Sequence, residues 1–181
     1  MSIAVIHGST RANGNTEYLT HQAVPKENVT HIYLRDCIIE PIKDERHSED
    51  GFKVINDDNN QITDIMLSHD VLIFSTPIYW YSMSGVMKNF IDRWSQTVRE
   101  KNYAHFRDCM KGKKVYVIAV GGDSPHIKGL PLVQQFQYIC DFFEMSFEGY
   151  VIGNAVKPGE IQKDELALSN ASLLLKNLLS I

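Results

Sequence analysis

The chain has 181 residues, 44% hydrophobic and 22% charged, enough apolar material for one domain spanning residues 1–181 around a sizeable core. Its formal charge of −4 leaves no basic footprint for nucleic acid, and no Lys/Arg-rich amphipathic stretch points to a membrane surface. No apolar run approaches the roughly 18 residues of a membrane span, the first residues lack a cationic segment before a long apolar one, and three scattered cysteines fit reduced thiols. The expectation is therefore a cytoplasmic protein with no nucleic-acid or membrane partner.

In chain order, Ile3-Ala4-Val5-Ile6 suits a buried parallel strand, and Gly8-Ser9-Thr10-Arg11-Ala12-Asn13-Gly14-Asn15-Thr16 follows it directly. Small polar residues and glycines let the backbone turn and then start a helix, whose unpaired N–H groups attract an anion. Arg11 and the hydroxyls of Ser9, Thr10 and Thr16 add donors, so the stretch reads as a phosphate cradle or, failing that, an ordinary capped turn. A Walker loop is excluded because five residues separate Gly8 from Gly14 and Asn15 stands where lysine is required. The G-x-G-x-x-G fingerprint fails at Thr10, and Cys37, Cys109 and Cys140 all lie outside the turn, which removes a cysteine phosphatase. A monophosphate fits best.

Thr16 to Val24 predicts a helix stopped by Pro25, and Val29 to Leu34 a second strand. The run Lys43 to Gly51 predicts a charged surface loop, and Asp57-Asp58 cap a helix carrying Ile62, Ile65 and Met66. Val71 to Phe74 is a third strand. Met83, Met87, Phe90, Ile91 and Trp94 recur at helical spacing, with Ser82 or Ser84 as N-cap and Lys88, Asp92 and Arg93 as a salt-bridged exposed face. Ser95 to Lys113 is long for a connection and is a candidate cover for a ligand or a partner subunit. Val115 to Val120 is a fourth strand, followed by a helix bearing Leu132, Phe136, Ile139, Cys140 and Phe143. A fifth strand falls near Phe147 to Ile152 and a terminal helix over Leu166 to Leu179.

Five strands alternating with five helices predict an α/β fold, a doubly wound five-stranded parallel sheet of order 2-1-3-4-5 with helices on both faces. In that order, shared with flavodoxin, ligands bind beyond the carboxyl ends of strands 1 and 3. The loop after strand 3 holds Pro77-Ile78-Tyr79-Trp80-Tyr81, a proline-fixed turn able to stack a flat ring and offer backbone N–H groups to it, or else an aromatic patch for the core or a neighbouring subunit. After strand 4, Gly121 and Gly122 permit close backbone approach, with His126 beside them. Phosphate cradle, aromatic turn and paired glycines together describe an FMN site. The seven histidines show no metal-ligand spacing, so no metal is expected.

These residues resemble the NADPH-dependent FMN reductase family of flavodoxin-like oxidoreductases, related to iron-sulfur flavoproteins, through the G-S-x-R-x-x-G-N-T loop, the P-I-Y-W segment and S-G-V-M-K-N-F-I-D-R at Ser84 to Arg93. The resemblance implies that Ser9, Arg11, Asn13, Asn15 and Thr16 surround the FMN phosphate and that Pro77, Ile78, Tyr79, Trp80, Gly121 and Gly122 line the ring. It further implies hydride transfer from NADH or NADPH to FMN, then electron transfer to a quinone, nitro or azo compound, flavin or metal ion, in a homodimer or homotetramer. No catalytic side chain is assigned, because the cofactor performs the chemistry. Cys37 alone stands where iron-sulfur relatives carry a cysteine cluster, which excludes a cluster. The rivals are a flavodoxin-like electron carrier that meets no nicotinamide, for whose strongly acidic docking surface a charge of −4 with 18 basic residues is a modest field, and a flavin-free scaffold.

Overall fold

Three apolar strands, buried throughout except at the first residue of one, decide the architecture. The computed structural model, which describes residues 1–25 and 27–176, sets β1 (Ile3–His7) beside β2 (Val29–Tyr33) on one side and β3 (Val71–Pro77) on the other. Next come β4 (Lys114–Gly121) and β5 (Ser146–Asn154), giving an all-parallel sheet in the order β2-β1-β3-β4-β5. The central strands β1, β3 and β4 are buried on both faces, whereas the edge strand β2 is half-buried except at Ile32 and the edge strand β5 alternates between exposed and half-buried residues over its first five positions.

Alternate residues feed two cores. Ile3, Val5, Ile73 and Ile118 pack under α1 (Asn15–Ala23) and the C-terminal helix (Glu165–Leu174). Ala4, Ile6, Phe74 and Val117 face the opposite layer, formed by α2 (Asn59–Leu67), α3 (Gly85–Thr97), α4 (Phe106–Met110) and, after the single turn α5 (Pro125–Lys128), α6 (Leu130–Phe142). The C-terminal helix is α7. The residues expected to carry these helices do so: Met87, Phe90, Ile91 and Trp94 on α3 and Leu132, Phe136 and Cys140 on α6 are buried. Ser84 caps α3, its side chain accepting the Met87 N–H.

Several expectations are corrected. The third strand runs three residues past Phe74, because Ser75, Thr76 and Pro77 continue the ladder opposite Ile118, Ala119 and Val120. Their polar groups are satisfied inside the protein, Ser75 Oγ by Thr20 Oγ1 (2.7 Å) and Thr76 Oγ1 by the Ser84 N–H (3.0 Å). Ser95 to Lys113 covers no ligand loop. It completes α3, makes a 3-10 turn at Lys101–Tyr103 and forms α4, driving Tyr103, Phe106 and Met110 into the core, where Tyr103 donates to Asp64 Oδ1 (2.8 Å). Within the described residues α7 ends at Leu174, and 177–179 of the expected helix lie outside them.

Arg93 is not on an exposed face. Lys88 and Asp92 pair at 2.5 Å in solvent, but Arg93 turns inward and pairs with Asp57 at 2.5 Å, both side chains 1% exposed. Arg93 Nη1 also donates to Glu40 O, Asp57 Oδ2 accepts the Glu40 N–H, and Asp58 Oδ2 accepts the Ile38 N–H. The acidic pair therefore ties the segment at Ile38 and Glu40 to the start of α2, and Asp57 joins it to α3 as well; Asp57 Oδ1 also accepts the Asn59 N–H.

Candidate functional site

All five strands end at one edge, and the loops leaving it build the site. Gly8 follows β1, donates its N–H to Ser75 O (2.7 Å) and accepts the Ser84 hydroxyl (2.6 Å). A Cβ on Gly8 would fall 2.9 Å from Met87 Cβ and 3.0 Å from Ser84 Oγ, so only glycine lets the loop pass the start of α3. Ser9 then bridges its own turn: its Oγ accepts the Arg11 N–H (3.2 Å) and donates to Arg11 O (3.0 Å). Asn13 takes the left-handed conformation at φ +53°, its N–H donating to Glu17 Oε2 (3.1 Å). Gly14 is the N-cap of α1 and supplies no side-chain cap. The N–H groups of the first helical turn have no intrahelical acceptor and present the positive end of the helix dipole.

These loops enclose a cavity of about 250 Å³ lined by Ser9, Arg11, Gly14, Asn15 and Thr16 from the first loop, Pro77, Ile78 and Tyr79 from the second, Val120, Gly121 and Gly122 from the third, and Ala155 and Val156 from the loop after β5. No carboxylate lines it. A second cavity, about 220 Å³, shares Ile78, Gly121 and Gly122 with the first and continues between Trp80 and Tyr81 on one side and Asp123, Pro125 and Lys128 on the other. Ten of the eleven residues singled out from sequence thus fall on one track. Asn13 lines neither cavity; it shapes the turn. Asn15 lines the cavity and also holds its fourth wall, its Nδ2 donating to Lys157 O (2.9 Å) and its Oδ1 accepting the Gly159 N–H (2.9 Å).

Ala155 and Val156 escape the sequence reading, which considers only three loops. The signal was present in the rule that every strand of such a sheet ends at the ligand edge, and in Pro158-Gly159. At Gly122 the two walls nearly touch: a Cβ would lie 2.4 Å from Val156 Cγ2.

The second loop carries backbone strain. Tyr79 and Ser82 exchange N–H···O bonds of 3.0 and 3.1 Å around a two-residue turn whose centre is Trp80 (φ +48°) and Tyr81 (φ +66°). Such a turn ordinarily takes Asn-Gly, since left-handed backbone is unfavourable for bulky side chains. The Tyr79 N–H, one of the expected ring donors, is engaged with Ser82. Trp80 is 90% exposed, and Tyr81 is pinned across the second cavity by its hydroxyl on Asp123 Oδ2 (2.9 Å), where Lys128 also pairs at 2.7 Å. These partners hold the Asp123 carboxyl below its usual range, Lys128 contributing most.

Behind the phosphate loop lies a cluster absent from the sequence reading. His7, 1% exposed, meets His31 at 2.9 Å (Nε2 to Nδ1) and stacks on Tyr33 with ring centroids 4.4 Å apart. Burial first, then the neighbouring His31 and His21, pushes the His7 imidazole down to about 3, and burial lowers His31 as well. His7 and His31 are therefore neutral at pH 7. Period-two alternation on adjacent strands brings them together, and the three ring positions carry no motif in the linear chain. His126 is exposed and lies outside both cavities of the track, bordering a separate depression with Asn154, Glu160, Lys163 and Asp164.

A larger cavity, about 630 Å³, opens between α3 and α6, lined by Trp94, Val98, Arg99, Arg107, Tyr138 and Phe142 among others. It shares no residue with the track and lies on a helical face, away from the carboxyl edge of the sheet. Cys37, Cys109 and Cys140 are free thiols, and burial pushes Cys140 up to about 12, so it is no nucleophile at neutral pH. Among the described residues no group of three His, Cys, Asp or Glu is arranged for a metal ion, and no helix is long and apolar enough to cross a membrane.

The sheet order, with a helix N-terminus and a first cavity free of carboxylates at its carboxyl edge, defines a doubly wound protein of the flavodoxin-like class. A family model described as NADPH-dependent FMN reductase matches residues 1–151, and the chain belongs to that family. It is thus an FMN-containing oxidoreductase with NAD(P)H as electron donor. A protein of Bacillus subtilis (strain 168), provisionally named the NAD(P)H-dependent FMN-containing oxidoreductase YwqN, is 53% identical over 176 residues, 97% of each chain. A solved structure described as Trp repressor binding protein from Bacillus subtilis superposes with TM-score 0.82 at 47% identity, covering 97% of both. An FMN-dependent NADH-azoreductase from Bacillus anthracis, solved with FMN, gives TM-score 0.67 at 11% identity over 98% of this chain and 99% of that one, a likeness of fold alone.

Proposed function

We propose that the chain holds FMN along the two joined cavities, phosphate at the start of α1 and ring toward Trp80 and Tyr81, and that it reduces a small planar acceptor with electrons from NADH or NADPH. The observation that carries this reading is the continuity of the track: donors at one end, paired glycines and Ile78 as a narrow floor, aromatic walls at the other, and no acidic side chain in the first cavity. When bound, FMN supplies the redox chemistry, receiving hydride from nicotinamide and passing electrons on. The protein's part is binding and alignment. Arg11 and Thr16, with the first-turn amides, hold the phosphate dianion, a charge-assisted contact being worth roughly 1.5 to 3 kcal/mol. Ser9 and Asn13 shape the loop, Asn15 closes the wall of Ala155 and Val156, and Gly121 and Gly122 let backbone lie against the ligand.

The exposure of Trp80 leaves one face of the turn open to planar molecules, which favours quinones, nitro or azo aromatics or free flavin over a metal ion as acceptor. We further infer a cytoplasmic homodimer or homotetramer, supported by Tyr138 and Phe142, large rings left 62% and 57% exposed on α6. The deciding experiment adds NADH or NADPH to FMN-loaded protein without oxygen. Flavin absorbance is expected to bleach within seconds. Protein that stays yellow with both nucleotides yet bleaches with dithionite is an electron carrier, and protein that takes up no FMN overturns the reading outright.

A further inference from the structure

We propose that Glu17 is a positioning residue for the phosphate loop: its carboxylate draws in the Asn13 N–H so that the first-turn amides of α1 face the cavity, while Arg35 cancels the charge this sets beside the phosphate. The inference rests on the reading that the FMN phosphate binds at this helix start. A buried carboxylate next to an anion site is electrostatically adverse, which is why its partners are informative. Glu17 is 5% exposed and stands at the third position of α1, after Gly14, Asn15 and Thr16. In a capping box the carboxylate at this position returns to the N-cap N–H. Here it reaches one residue further back, to Asn13 (3.1 Å), the residue held at φ +53°. The amide preceding the cap is thereby consumed, and those of the first turn are left for the ligand.

The same oxygen, Oε2, accepts Arg35 Nη1 at 2.9 Å. Arg35 comes from the 3-10 turn Leu34–Asp36 at the end of β2 and lies 4.3 Å over the Tyr33 ring, so its guanidinium is fixed rather than swinging in solvent. His21 approaches the other oxygen at 3.9 Å. A carboxylate with one loop amide and one immobilised cation on a single oxygen can order the loop without repelling a dianion. A purely structural cap would weaken all flavins alike, whereas a positioning role acts only on those bearing phosphate.

The test compares dissociation constants for FMN and riboflavin, which differ by the phosphate, by flavin fluorescence quenching. Wild-type protein is expected to prefer FMN. Glu17→Ala should shrink that preference about tenfold, and Glu17→Gln, still able to accept the Asn13 N–H, should restore it to within about threefold. Arg35→Met should also shrink it while leaving riboflavin binding unchanged. Because the Arg35 side chain is 16% exposed, that variant carries the test if Glu17→Ala does not fold. A preference unchanged in both variants, or equal losses for FMN and riboflavin, overturns the proposal. A wild-type protein without any preference for FMN removes the phosphate reading itself, and this proposal with it.

Discussion

His7 shows how a single side chain couples the sheet to acidity. In the unfolded chain an ordinary imidazole takes up a proton near pH 6.5, but in the fold it resists protonation until about 3. Between those values the unfolded state binds the extra proton, so stability is complete above about pH 6.5 and is lost as pH falls below it, by up to about 1.4 kcal/mol per unit. By pH 5 this amounts to about 2 kcal/mol, with His31 adding in the same direction. Urea unfolding at pH 7.5 and 5 is expected to show a larger drop for wild type than for His7→Phe; equal drops would remove His7 as the cause. Residues of this kind are illegible in a linear chain. His7 and His31 lie 24 positions apart, and only the parallel register of β1 and β2 joins them. That Ser9, Arg11 and Thr16 line one cavity is legible because they belong to a single turn.

At the scale of elements, the strained turn after β3 argues for function. Left-handed backbone at Trp80 and Tyr81 costs on the order of 1 kcal/mol each and persists where surroundings hold it, here through the Tyr79–Ser82 pair and the Tyr81–Asp123 bond. Since Trp80 is 90% exposed it gives little packing in return. Trp80→Asn, which tolerates that conformation, is therefore expected to raise the unfolding free energy by about 0.5 to 1 kcal/mol while weakening FMN several-fold. Denaturation and flavin titration of the same preparation check both halves. Aromatic composition beside a proline marks this loop in the sequence, whereas its positive φ values do not follow from any Trp-Tyr preference. Arg93 shows the opposite failure: its spacing from Lys88 and Asp92 reads as an exposed helix face, and a partner 36 positions away, Asp57, draws it inside.

For the whole molecule, the alternation of apolar runs carries the fold class and strand order, since right-handed crossovers leave few ways to wind five parallel strands. Where those strands end also decides where ligand energy enters. FMN at a hundredfold excess over its dissociation constant is expected to add about 2.7 kcal/mol, a rise in melting temperature of roughly 5 to 11 °C for a chain of this size, with riboflavin giving less. Differential scanning fluorimetry with both flavins measures it, and equal shifts would speak against phosphate as the main anchor.

The clasp between Asn15 and Gly159 joins positions 144 residues apart. A ribosome making this chain releases the turn proposed to hold the phosphate long before the segment that completes its wall, so a nascent polypeptide stalled in the middle is expected to hold flavin poorly. Colour would then arrive late, as a mark of finished synthesis, and a product cut short after β5 would pass through the cell unpigmented even with all five strands and the helices between them in place.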